Sequence, residues 1–189
     1  MDDFSSEPAL RDRSLSREDI EHLNPSTHYH LVDCDLEEAD LSRLDLTGWQ
    51  FERCNLRHAA LRRAKLYAAR FSGCKLTGAD FTDASAMEIG IEETLLINAR
   101  LPGFSFRNDR LWKVDFSQAD IRRCDFRQVI FEACSLRDAN MVGSRFDGAD
   151  LRGADIGGLR LVDANLFRGA TISREQAGEL LGELGLKVR

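Results

Sequence analysis

Residues 139–158 read ANMVG SRFDG ADLRG ADIGG. Every fifth residue is large and apolar: Met141, Phe146, Leu151 and Ile156. Two positions before each stands a small side chain, Ala139, Ser144, Ala149 and Ala154. The register holds outward from here without an insertion. Counting in fives from Leu31 to Leu166 gives 28 positions, and only Ala86 is not a large apolar residue. A period of five matches neither the 3.6 of an α-helix nor the 2 of a flat strand. It is an internal repeat, and a repeat of this kind decides the architecture before any local propensity does.

Taking the large residue as the centre of each pentapeptide, the small slot two residues before it holds mostly Ala. It also holds all five cysteines, Cys34, Cys54, Cys74, Cys124 and Cys134. Asp or Asn recurs one residue before the centre, as in Asp35, Asn55, Asp80, Asp120 and Asp155. Gly recurs two residues after it, at Gly48, Gly73, Gly78, Gly103, Gly143, Gly148, Gly153 and Gly158. One large and one small inward residue per five can fill a narrow tube in layers. The glycines mark corners where φ is positive.

The stretches ADLSR, ADFTD, ADIRR, ADLRG, ADIGG and ANLFR resemble the A(D/N)Lxx motif of the pentapeptide-repeat family. That resemblance implies an all-β fold, a right-handed quadrilateral parallel β-helix with four pentapeptides per coil. Residues 29–168 would then make about seven coils, a rod of about 34 Å at roughly 4.8 Å per coil. Residues 1–28 are expected to be an N-terminal cap. Within them Ser16-Arg17-Glu18-Asp19 precedes Ile20 and Leu23 as a short helix that Pro25 ends. Residues 169–189 are expected to be a C-terminal capping helix and tail. Ser173 and Gln176 form a capping-box pair, with Ala177, Leu180, Leu181 and Leu184 along one stripe and Gly185 as its stop. Leu186 and Val188 alternate with charge as a short strand would. Irregular pentapeptides cluster at 84–114, where Ala86 shrinks the centre, Ile89 and Phe104 enlarge the small slot and Asp109 makes it acidic. Phe104 is expected to fill the space that Ala86 leaves.

Composition narrows the function classes. The 189 residues hold 26 Lys+Arg against 32 Asp+Glu, a net charge of −6. This is not the basic footprint of a nucleic-acid binder. No apolar run is long enough for a transmembrane helix. The acidic N-terminus does not read as a secretion signal, and five cysteines read as reduced thiols, so a cytoplasmic protein is expected. Cys34, Cys54, Cys74 and Cys134 share one face, in a column rather than a tetrahedron, and read as buried small residues rather than metal ligands. His28 and His30 read as solvated cap residues. No catalytic triad, phosphate loop or zinc motif occurs, so the expectation is a non-enzyme with no cofactor and no metal.

Two surface features stand out. The adjacent faces centred on Leu31 and Leu36 carry 13 acids and 8 bases. They include Asp33, Asp35, Glu37, Glu38, Glu52, Glu92, Glu93, Asp115, Glu132, Asp138, Asp150 and Asp155. Apolar residues also occupy outward slots: Leu95, Ile97, Trp112, Ile130, Val142, Val162 and Phe167. Val142, Val162 and Phe167, with Leu180, Leu181 and Leu184 of the tail, form either a dimerisation patch or a surface that the tail covers within one chain. The tail resembles that of the Qnr, MfpA and McbG type of topoisomerase-protecting pentapeptide-repeat proteins. The resemblance implies a homodimer through the C-terminal end that mimics duplex DNA. It would bind DNA gyrase or topoisomerase IV and protect it from a toxin or antibiotic. The absence of inserted loops suits the MfpA type. The alternative is a general protein-interaction scaffold. Charge weighs between them: residues 29–168 are net −2, whereas 34 Å of duplex carries roughly 20 negative charges.

Overall fold

A computed structural model describes residues 8–24, 27–159, 161–183 and 185–188; the side chains of Leu161 and Val162 lie outside the description. Eight parallel strands stack in chain order along one face: β1 (Ala9–Arg11), β2 (His30–Val32), β3 (Gln50–Glu52), β4 (Arg70–Ser72), β5 (Gly90–Glu92), β6 (Arg110–Trp112), β7 (Ile130–Ser135) and β8 (Asp150–Asp155). From β2 to β7 each residue pairs with the one twenty positions on, as Phe51 with Phe71. The other three faces repeat that spacing through single bridges, such as Asp40 with Ala60 and Asp45 with Lys65. This is a parallel β-solenoid of about seven turns, with four five-residue sides per turn. Backbone groups are satisfied by the coils above and below, so the rod needs no second sheet.

The inward slots are filled as the period predicts. Leu31, Leu36, Leu41, Leu46 and most of their successors are buried, Ala86, Met141 and Leu166 being half-buried, with Ala59, Ala64, Ala69 and the cysteines between them. Phe51 stacks on Phe71 at 4.8 Å, and Phe106, Phe126 and Phe146 continue a second stack at 5.3 and 4.9 Å. Each such pair is worth about 0.5–1.5 kcal/mol beyond burial. Corners place nearly every second residue after the centre at positive φ, glycine or not: Glu38, Arg43 and His58 adopt 56–63° beside Gly48 at 72°. The hydrogen-bonded layers hold these residues where L side chains are ordinarily disfavoured. Gly153 differs. Its φ is not positive, and a Cβ there would lie 2.5 Å from the Phe131 carbonyl oxygen, at the register shift between β7 and β8.

Both ends depart from the twenty-residue register, each by one residue. At the N-terminus Leu10 pairs with Leu31 and Ser14 with Asp35, twenty-one positions on. The described part of the expected cap is therefore a partial coil. Leu15 and Ile20 are buried five residues apart, and α1 (Arg17–Glu21) takes the place of the third side. The helix begins with a capping box of Ser16 and Asp19. Pro25 lies outside the described residues.

At the C-terminus a 3-10 helix, Leu161–Phe167, again replaces a third side. Beyond it Phe167 stacks on Phe146 at 4.6 Å, and Thr171 pairs with Asp150. The regular register thus ends near Ile156 rather than at 168. Phe167, expected outward, turns in, and Ala164, expected inward, is exposed. The helix α2 (Arg174–Glu183) follows with its Ser173–Gln176 capping box formed. Leu186 and Val188 form no strand.

At the irregular stretch Phe104 is buried and meets Phe81 edge-on at 5.7 Å. Ala84 and Ala86 nevertheless remain half-buried, so the filling is incomplete on the solvent side.

Candidate interaction surfaces

The twelve acidic residues named above fall on two adjoining faces of the rod, but most are neutralised within the chain. The 20-residue repeat places a residue directly over its counterpart in the previous coil. Arg53 therefore reaches Asp33 at 2.7 Å, Arg57 reaches Glu37 at 3.2 Å and Lys113 reaches Glu93 at 3.3 Å. Glu52 meets His30 at 3.0 Å and also Arg53. Glu132 pairs with Arg110, Asp150 with Arg152 at 2.6 Å and Asp155 with Arg137 at 2.8 Å. Among the described residues Asp35, Glu38, Glu92, Asp115 and Asp138 have no Arg or Lys partner. Asp35 accepts from the Asn55 amide at 2.8 Å, Glu92 from the Ser72 hydroxyl at 2.9 Å and Asp115 from the Ser117 N–H.

The titration behaviour follows these contacts. The Arg53 guanidinium holds the Asp33 carboxyl below its ordinary value, and Asn55 with Arg57 does so for Glu37. Arg152 lowers Asp150. Asp155 is partly desolvated, which opposes ionisation, but Arg137 and the Gly157 N–H together outweigh it. Solvent screens exposed pairs of this kind, so each adds little to stability. Their larger effect is to cancel the field that the acidic faces would otherwise project.

The cysteines show what sequence periodicity missed. All five are buried and free. The Cys54, Cys74 and Cys134 thiols donate to the carbonyls of Leu31, Phe51 and Leu111 in the preceding coil, at 3.2–3.4 Å. Thr94 takes the same place in this column and donates to Phe71. Cys124 donates to Leu101 at 3.1 Å. Five of the seven residues in this column, Cys34, Cys54, Cys74, Thr94 and Cys134, carry a donor, whereas Val114 and Ala154 fill the same slot without one, so the slot is set by size and the donor is an addition that most of its occupants use. Burial pushes the Cys124 thiol up to about 12 and raises Cys134 as well, so neither is a thiolate at neutral pH. Among the described residues no group of three or more His, Cys, Asp or Glu could hold a metal ion. No helix among them is long and apolar enough to cross a membrane.

The apolar candidates divide. Val142 and Leu181 are exposed, whereas Leu180 packs against the core and Phe167 joins its aromatic stack. The Val162 side chain and Leu184 lie outside the description. Ile172, Leu186 and Val188 add exposed apolar surface at the same end of the chain. Elsewhere Leu95, Trp112 and Ile130 are exposed as expected, and Tyr67 and Met87, which the outward-slot reading did not single out, join them. The tail is held by Gln176. Its buried amide donates to the Leu151 and Ala154 carbonyls at 2.7 and 2.6 Å, where no further coil exists to take them.

Comparison with known proteins places these features. The family model described as a pentapeptide repeat region matches residues 27–101, and that for pentapeptide repeats in eight copies matches 92–128 and 130–166. No curated protein matches by sequence. Among solved structures, a trypsin-treated variant of QnrB1, a plasmid-mediated fluoroquinolone resistance protein, superposes with a TM-score of 0.69. It is 22% identical over 97% of this chain and 98% of that chain. Full-length QnrB1 gives 0.68 at 19% identity, over 95% of this chain and 98% of that chain. A second trypsin-treated QnrB1 variant gives 0.52 at 25% identity, over 97% of this chain and 98% of that chain.

Proposed function

Since the chain belongs to the pentapeptide-repeat family, we propose that it is a non-enzymatic protein that binds a type II topoisomerase, DNA gyrase or topoisomerase IV, and protects it from a toxin or antibiotic. The observation that carries this reading is the C-terminal end. The tail that resembles the topoisomerase-protecting members is built as a closing device, with Gln176 locking α2 onto the last coil and apolar residues left facing outward. The rod also matches the resistance protein QnrB1 over nearly the whole of both chains. The active form is a homodimer joined through this end, in the cytoplasm, with the acidic faces turned to the enzyme's DNA-binding saddle. No cofactor takes part.

The neutralised acidic faces favour a second reading, a protein-interaction scaffold with another partner. Seven of the twelve named carboxylates have their charge met inside the chain, so the surface is a weak copy of duplex DNA. A gyrase assay separates the two. The protein is expected to inhibit supercoiling, or to rescue the enzyme from a fluoroquinolone, at micromolar concentration. Charge reversal at Glu92 and Glu93 is expected to weaken that effect severalfold. No effect of the unaltered protein in either assay removes the topoisomerase reading and leaves the scaffold.

A further inference from the structure

The rod's third side, opposite the β2–β8 face, carries a groove of about 510 Å³ where α1 meets the first three coils. Four arginines line it: Arg17 from α1, Arg43 and Arg63 from successive corners, and Arg62. Only two carboxylates, Asp40 and Asp83, line it with them. Two of the guanidinia are fixed. Arg17 bonds Glu21 at 2.8 Å and the carbonyls of Asp40 and Ser42 at 3.0 and 3.1 Å, and Arg62 bonds Asp80 at 2.7 Å. The other two have unspent donors. Arg63 approaches Asp83 only to 3.7 Å, outside hydrogen-bond distance, and the Arg43 guanidinium has no hydrogen bond or ion pair among the described residues.

The spare charge is local. One coil further, Thr82 and Asp83 take the positions of Arg62 and Arg63, and two coils further Pro102 and Gly103 do. The side becomes arginine-rich again only at Arg122 and Arg123, where Arg122 is paired with Asp120 at 2.7 Å. Between the two arginine clusters the side offers Asp80, Asp83 and the single Arg100, which lies 3.9 Å from Asp80, so a long polyanion tracking the rod would cross a stretch with no surplus of positive charge. A compact one would not. The volume lies in the range of small-ligand sites, and the planar guanidinium fork suits phosphate oxygens.

We propose that this groove binds a compact polyphosphate anion, held by Arg43 and Arg63, with Arg17 and Arg62 as a pre-set rim. The site stands apart from the acidic faces, so it goes beyond the topoisomerase reading and neither depends on the other. Calorimetric titration of the full chain at physiological salt tests it, with inorganic triphosphate, ATP, monophosphate and a glutamate-rich peptide as probes. Triphosphate is expected to bind saturably and at least about tenfold more tightly than monophosphate. Arg43→Ala and Arg63→Ala should each weaken it about tenfold, while Arg122→Ala and Arg123→Ala leave it unchanged. Melting curves of all four variants confirm that the fold is intact. ATP binding as well as triphosphate makes a nucleotide the ligand class, and ATP failing makes it a free polyphosphate; both support the site. Absence of saturable triphosphate binding overturns the proposal. So does equal loss in the Arg122 and Arg123 variants, or binding of the peptide alone.

Discussion

The two ends of the rod solve one problem with different finality. Each slips the twenty-residue register by one residue, and each replaces the third side of the turn with helix, α1 at one end and the 3-10 segment at the other. At the N-terminus the replacement seals the core: Ile20 of α1 is buried, as is Leu15 just before it. At the C-terminus the closure is polar. Gln176 of α2 takes up the Leu151 and Ala154 carbonyls, while Leu181 of the helix and Leu186 and Val188 beyond it stay at 39%, 56% and 59% exposure. One end is finished within the chain. The other satisfies its backbone but leaves apolar surface uncovered, as an end prepared for a second copy would.

The contrast can be broken outright by removing everything after Thr171. If the open end is the dimer interface, the shortened chain runs as a monomer in light scattering while the full chain runs as a dimer. A shortened chain that stays dimeric moves the interface elsewhere, and a monomeric full chain ends the idea.

A smaller effect is expected from Ile20→Ala. Emptying a buried position in the sealed end should cost about 3 kcal/mol, read as a lower denaturant midpoint with no change in oligomeric size. A loss under about 0.5 kcal/mol, the size of an ordinary surface substitution, would mean that α1 is a surface ornament rather than a seal.

The smallest effect is local and set by pH. Both helices begin with a capping box, but α1 uses Asp19 where α2 uses Gln176. The Ser16 hydroxyl and N–H hold the Asp19 carboxyl below its ordinary value of 3.8. Its contribution is therefore present above that value and is lost as pH falls through the depressed folded value. The Ser16 amide resonance should shift in acid, whereas the Ser173 amide, whose own acceptor is the neutral Gln176 and which meets a carboxyl only through its hydroxyl at Glu175, should shift less. Equal shifts would show that the two caps respond to something other than their partners.

Much of this was legible in the chain. The five-residue period fixes inward and outward slots from Leu31 to Ile156, because a side chain on a four-sided coil has only two directions to take. The Ser173–Gln176 capping box could be read from residue type and spacing, whereas the Ser16–Asp19 box appears only in the folded chain. Nor could the one-residue slips be read. The apolar series runs unbroken through Leu161 and Leu166, and nothing local says that Phe167 rather than Leu166 will face Phe146. The electrostatic outcome was hidden for a related reason. Counting acids by face finds the stripe, but Asp33 and Arg53 look unrelated until the coil brings residues twenty apart into contact.

Sequence alone determined the repeat, its slots and the column of small, buried cysteines, since these follow from periodicity and side-chain size. The tertiary structure decided where the repeat stops, which carboxylates keep their charge to themselves and which of the described arginines keep donors to spare. Those outcomes depend on stacking between coils, and the distance between residues twenty positions apart is set by the fold and not by the chain.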